Sequence, residues 1–92
     1  MFSLFKFTND LDAIELANNS QYGLDAVIIS KDIEKAKRRA EMLEVGMVFI
    51  NEIVATDPAI PGGGIKDSGF GRELYKEGLF ETANRKSIII GK

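Results

Sequence analysis

The sequence predicts an α/β fold, and three observations predict it. Two apolar runs, Leu24–Ser30 and Met47–Ile50, have the length of strands and too few polar residues to face water on one side. A segment with an apolar repeat of three to four residues precedes each of them. Turn residues Gly23 and Gly46 stand at the joints. Strands covered on both faces and linked through helices build a parallel sheet with right-handed crossovers. The expected architecture is a partial parallel sheet in the order strand, helix, strand, helix, strand. A long Gly/Pro loop, a short helix and a C-terminal strand follow.

FSLFKF (Phe2–Phe7) is short and aromatic-rich, and is expected as the first strand. Thr8, Asn9 and Asp10 offer helix caps, and Leu11, Ile14 and Ala17 repeat at spacing three. That helix should end at Asn18-Asn19-Ser20, with Gly23 marking the turn into Leu24–Ser30. Ser30 or Asp32 caps the next helix, whose buried stripe is Ile33, Ala36, Ala40 and Leu43. Its lysines and arginines (Lys31, Lys35, Lys37, Arg38, Arg39) mix with Asp32, Glu34, Glu41 and Glu44. Such a mixture reads as a solvated helix face with i,i+4 pairs rather than as a binding surface. Gly46 is expected to end the helix before the third strand, Met47–Ile50.

From Asn51 to about Gly71 neither period persists. A loop of roughly 20 residues in a small domain is usually functional, or is held by a larger body. Glu73–Ala83 is helical in composition, with Gly78 expected to interrupt it. Arg85–Ile90 closes the chain as a strand, and three consecutive isoleucines there need a partner.

Ninety-two residues make at most one domain. The net charge of −2 gives no support for nucleic acid or an anionic membrane as a partner. There is no cysteine and no histidine, which excludes disulfides, the usual zinc sites and every nucleophile–histidine pair. No acidic cluster has metal-site spacing. No apolar run approaches the roughly 20 residues of a membrane span. MFSLFKF lacks the charged lead, apolar stretch and cleavage site of a signal peptide. A soluble, cytoplasmic protein is expected.

PGGGIKDSGFGRE (residues 61–73) carries five of the nine glycines and raises the question of phosphate binding. The dinucleotide fingerprint requires G-x-G-x-x-G directly after a strand. Gly69-Phe70-Gly71-Arg72-Glu73-Leu74 puts leucine at the third glycine and follows a loop. A P-loop requires Lys and Ser/Thr after its second glycine. Gly64 to Gly69 is followed by Phe70 and Gly71. Both patterns fail. Gly62-Gly63-Gly64, entered through Pro58 and Pro61, suits a pocket wall where backbone approaches something bulky.

NEIVATDPAIPGGGIKDSGFGRELYKEGLFETANRKSIII resembles the C-terminal end of the aldehyde dehydrogenase superfamily. Ala17–Ala36 is similar to that family's preceding helix, strand and helix, and Gly46–Asn51 to the strand that ends in its asparagine. The Asn51–Lys66 stretch, with Asp57-Pro58, looks most like the succinate-semialdehyde branch. The resemblance implies that residues 1–83 are the C-terminal part of the catalytic domain and residues 84–92 an oligomerisation strand. It implies NAD or NADP in the parent enzyme and none bound by this chain. The family's catalytic cysteine, its general-base glutamate, its cofactor domain and its Glu-x-Phe-Gly-Pro motif would all lie before Met1. No catalytic residue is therefore assigned, and the chain alone is expected to be inactive.

The resemblance places Thr56 at the substrate entrance, where a hydroxyl is a donor to a substrate carboxylate. The alternative for Thr56 is an ordinary loop threonine. It places Gly62 where most members have an aromatic that walls the pocket, so the pocket shape departs from the usual one. Asn51 and Lys66 match family positions as loop-fixing residues. The partners expected are the remainder of a dehydrogenase or a second copy, through Ser87–Ile90. A stand-alone, self-associating module is the alternative to an enzyme fragment.

Overall fold

The computed structural model describes residues 1–92. The elements are helix α1 (Asp10–Asn18), strands β1 (Tyr22–Gly23) and β2 (Asp25–Ile28), helix α2 (Ile33–Ala40), strands β3 (Met47–Ile50) and β4 (Ile65–Lys66), and helix α3 (Tyr75–Glu81). β2 and β3 pair in parallel, with Asp25 opposite Met47 and Ile28 opposite Ile50. β1 and β4 form a second, antiparallel pair.

Local chemistry starts both long helices where the sequence predicts. Asn9 has extended backbone and its Oδ1 accepts the Asp12 N–H at 3.0 Å. The Asp12 carboxylate reaches back to the Thr8 hydroxyl at 2.8 Å, and both Asp10 and Asp12 sit at the positive end of the helix dipole. On α2, Asp32 Oδ1 accepts the Lys35 N–H at 2.9 Å, and Lys37, Arg38 and Arg39 occupy the last turn. Ser30 supports this cap, its Oγ accepting the Asp32 N–H.

The two helices are tied to each other. Asp10 Oδ2 lies 2.6 Å from Lys35 Nζ and 3.5 Å from Arg39 Nε. The end of α1 is tied as well: Asn18 donates to the Met42 carbonyl and accepts the Glu44 N–H, each at 2.8 Å. These contacts account for an early end of α2. The sequence predicts a helix running to Gly46, but the chain turns at Glu41–Met42, where i→i+3 bonds tighten the backbone and Asn18 takes over the next polar groups.

Four residues are buried, and three of them are glycines. Ala36, 2% exposed, is the one buried side chain. The expected stripe on α2 is therefore only partly covered, and Ile33 is exposed. The accessible surface is 7956 Å², against about 5,300 Å² for a folded monomer of this mass. The radius of gyration is 17.5 Å, against about 12 Å for a compact chain of this length. β2 and β3 are a parallel pair that this chain does not cover.

Several expectations are corrected by the structure. Phe2–Phe7 forms no strand, and neither does Arg85–Ile90. A strand exists only as one side of a hydrogen-bonded ladder, and no segment of this chain pairs with either stretch. The sheet is accordingly two-stranded where three strands were expected. Gly23 is part of a strand pair rather than a bare turn. The long loop is not free of structure, because β4 and a Gly62–Glu73 bridge run through it. Gly78 does not interrupt the last helix: α3 runs through it, and the Glu73 backbone carbon lies 2.8 Å from where its Cβ would stand. The glycine is needed for that crossing.

Gly46 meets the same constraint more severely, since an added Cβ would stand 1.7 Å from the Gly63 carbonyl oxygen. Gly46→Ala is expected to cost about 1–3 kcal/mol by forcing β3 and the glycine loop apart, read by urea unfolding of the protein that carries this chain. The Asp10 carboxyl is held below its ordinary 3.8, first by the hydrogen bond from Lys35 and further by Arg39. Asp12 is lowered too, first by the Thr8 hydroxyl. A lowered carboxyl stabilises above its ordinary value and stops doing so as pH falls through the lowered one. Protection of the α1 amides, taken relative to their intrinsic exchange rate at each pH, is expected to fall as pH drops below 3.8, and Asp10→Asn should remove the share of that fall due to the α1–α2 ion pair.

Candidate functional site

The loop after β3 is pinned at its start by Asn51. This residue has φ 55° and pairs its side-chain amide with Ser30, accepting its N–H at 2.8 Å and donating to its carbonyl at 2.7 Å. The side chain thereby extends the β2–β3 ladder by one step. Asp57 next turns the chain, its Oδ1 accepting the Ala59 N–H at 2.8 Å. The Pro58 carbonyl receives the Tyr75 N–H at 3.2 Å.

Lys66 pins the far side. With φ 54°, it sends its ammonium group to the carbonyls of Asn18 (3.0 Å) and Ser20 (3.2 Å) and to Glu44 Oε2 (2.7 Å). A cation beside the last carbonyls of α1 is favoured by the helix dipole. Arg72 closes the glycine stretch on itself, its Nη1 donating to the carbonyls of Gly64 (3.0 Å) and Gly71 (2.7 Å). Gly62 and Glu73 exchange N–H···O bonds of 2.9 and 2.8 Å. Leu74 and Tyr75, at φ 65° and 49°, carry strained backbone into α3.

This arrangement does not fit a phosphate cradle. Such a cradle presents unpaired N–H groups. Here the N–H groups of Gly62, Asp67, Ser68, Gly69 and Glu73 donate to backbone carbonyls, and Arg72 Nη1 donates to the carbonyls of Gly64 and Gly71. No group of three or more Asp, Glu, His or Cys residues is placed to hold a metal ion.

The structure does bring Thr56 and Gly62 together. Both line one concavity of about 320 Å³. Thr56 comes from the exposed arm of the loop, and Gly62 is buried at its base. Asn51 and Lys66 do not line it; they hold the loop's two ends, as expected of loop-fixing residues. The floor consists of Met47 and Phe49 from β3 with Leu24 and Leu74, none of which sequence reasoning named. Met47 and Phe49 were findable, because positions i and i+2 of a strand share a face. Leu74 was not, because its place depends on the strained turn into α3. A second concavity, about 410 Å³, is the uncovered groove between α1, α2 and β2. No helix is long and apolar enough to cross a membrane.

With this geometry in place, the match to known proteins is informative. The family model described as "Aldehyde dehydrogenase family" matches residues 1–88. The chain belongs to the aldehyde dehydrogenase family. It is similar to a succinate-semialdehyde dehydrogenase [NADP(+)] of Deinococcus radiodurans, 41% identical over 85 residues, covering 92% of this chain and 18% of that protein. Among solved structures, the succinic semialdehyde dehydrogenase of Streptococcus pyogenes in complex with NADP+ superposes with a TM-score of 0.89 at 43% identity, covering 94% of this chain and 19% of that one. A betaine aldehyde dehydrogenase of Staphylococcus aureus superposes with a TM-score of 0.79 at 51% identity, covering 82% and 15%. The chain thus spans less than a fifth of the length of these relatives.

Lys66 is the residue whose loss should free the loop. Lys66→Met keeps the apolar stem and removes three polar contacts; it is expected to cost about 1–2 kcal/mol after allowance for solvent screening. Faster hydrogen exchange confined to residues 62–73 would accompany it.

Proposed function

We propose that this chain is the C-terminal portion of an NAD(P)-dependent aldehyde dehydrogenase of the succinate-semialdehyde type, which oxidises an aldehyde to its carboxylic acid. The family match across residues 1–88 carries the reading. The large uncovered apolar surface supports it, because a chain built to pack against a larger body leaves such a surface.

The reaction needs a thiolate to attack the carbonyl carbon and a base to activate water against the resulting acyl group. This sequence holds no cysteine, so neither the nucleophile nor turnover is assigned to it. NAD(P), bound by the remainder of the enzyme, would accept the hydride. The chain's own part is positional. Its concavity walls the aldehyde's carbon chain with Met47, Phe49 and Leu74 and keeps water away from it. Thr56 supplies a hydroxyl that can donate to a carboxylate at the far end of a substrate such as succinate semialdehyde. Residues 84–92 would serve as the oligomerisation strand, and the whole protein would be cytoplasmic.

A second reading has its own observation. Ile88, Ile89 and Ile90 are 81–90% exposed, and Ser87–Ile90 would be covered by a second copy or by a full-length relative if the chain acts alone as an interaction module. Two measurements separate the readings. The isolated 92 residues should form no NAD(P)H from any aldehyde, and detectable turnover would contradict the first reading. Sedimentation of the same material decides the second: association that Ile89→Lys weakens supports it, whereas a monomer with no affinity for a full-length dehydrogenase removes it.

A further inference from the structure

We infer that the groove between α1, α2 and β2 is an interaction surface for an apolar segment that carries a carboxylate, and that Arg39 receives that carboxylate. The occupant is a segment of the same polypeptide outside residues 1–92. The inference rests on the reading of this chain as part of a longer dehydrogenase.

Charge decides the chemistry of the occupant. Asp10, Lys35 and Arg39 are the charged residues that line the groove, two cations against one anion. Apart from Ser30, the rest of the lining is apolar. One carboxylate oxygen serves both cations: Asp10 Oδ2 lies 2.6 Å from Lys35 Nζ and 3.5 Å from Arg39 Nε. Arg39 Nε makes no hydrogen bond at that distance, and it is the one buried side-chain nitrogen or oxygen of the chain without a partner. Arg39 Nη1 reaches the Met42 thioether at 3.7 Å, a weak acceptor. A buried donor left unpaired is costly, and a carboxylate is the acceptor that a guanidinium binds most strongly. One added carboxylate completes Arg39 and brings the charge of the groove to zero.

The backbone of β2 makes that occupant a stretch of polypeptide. β2 pairs with β3 alone, so its other edge has no strand neighbour. The carbonyls of Leu24 and Ile28 accept the N–H groups of Met47 and Asn51 on the β3 side. The N–H and C=O groups of Val27 and Ile29 alternate with these and turn to the free edge. Both residues line the groove. A further length of chain satisfies the backbone groups, the apolar lining and Arg39 together, which a small anion does not. This chain spans less than a fifth of the length of its relatives, so a longer dehydrogenase has that length to supply.

The test uses the native polypeptide that carries this segment. Arg39→Met removes the charge and keeps much of the volume, and it is made both in the unaltered protein and in Asp10→Asn. With an outside carboxylate on Arg39, the substitution leaves that carboxylate unpaired. The melting temperature is then expected to fall by at least about 3 °C in both backgrounds. A fall confined to the unaltered background makes Asp10 the whole partner of Arg39 and overturns the inference, as does no fall in either. Arg39→Lys locates the carboxylate: a carbodiimide joins the amine at position 39 to a carboxylate in contact with it, with loss of one water, and mass spectrometry maps the product. The expected cross-link runs to an Asp or Glu outside residues 1–92, in a product that keeps the mass of one polypeptide under denaturing conditions. A cross-link to Asp10 alone, no cross-link, or one that doubles the mass and so puts a second copy on the groove overturns the inference. Should one variant fail to fold, the other measurement decides. The mass of the native polypeptide separates two failures. At 10.1 kDa there is no outside segment, and the reading of a longer dehydrogenase falls with the inference. A longer polypeptide that fails these tests removes the inference alone.

Discussion

A parallel strand pair has no natural solvent face, and the structure of this chain depends on that constraint. β3, and β2 after Asp25, are apolar, as strands covered on both faces are. α1 and α2 are bound to each other by the Asp10 ion pairs and to the sheet through Ala36, yet they supply only part of the cover. The rest of the apolar surface stays open, which is why the chain exposes about half again the surface of a compact protein of its mass. An uncovered parallel pair, bare aromatic residues at one end and bare isoleucines at the other are consequences of one fact.

Within that frame the glycine loop has a definite purpose. Two cations hold it through contacts within the chain. Lys66 fastens the loop to the carbonyl end of α1, and Arg72 draws the two sides of the glycine stretch together. With the loop fixed, the Gly62–Glu73 bridge sets Gly62 at the base of a concavity whose floor is β3. Close backbone or side-chain approach explains most of the glycines.

How much of this was legible in the sequence follows from the range of each interaction. The caps at Asn9 and Asp32 are contacts within three residues, and they stand where the residue types place them. Met47–Ile50 and its parallel partner were legible because an apolar run between turn signals is itself a statement about burial. What failed were elements whose existence depends on a distant partner. Phe2–Phe7 and Arg85–Ile90 have strand composition, but composition supplies no ladder. Gly78 was misread because glycine's low helix propensity is a local quantity, and the crossing of the Glu73 backbone is not. In the candidate site, Thr56 and Gly62 entered by resemblance and proved to share one concavity. Met47 and Phe49 were visible in the strand period. Leu74 was hidden because it and Tyr75 take a strained backbone that no composition reveals.

The central claim is that this chain is one part of a larger dehydrogenase and draws its structure and its function from the rest. The most direct test is the mass of the native polypeptide in its source cells, by mass spectrometry of peptides from this region after size separation. A segment of 85 residues makes up 18% of the Deinococcus relative. Scaling from 10.1 kDa for 92 residues, the account predicts a band at about 50 kDa, as expected when length and mass scale together along an unfolded chain. Peptides confined to a species of 10.1 kDa would contradict it: the exposed strands would then have to be covered by a second copy or a separate protein, and catalysis would not belong to this chain.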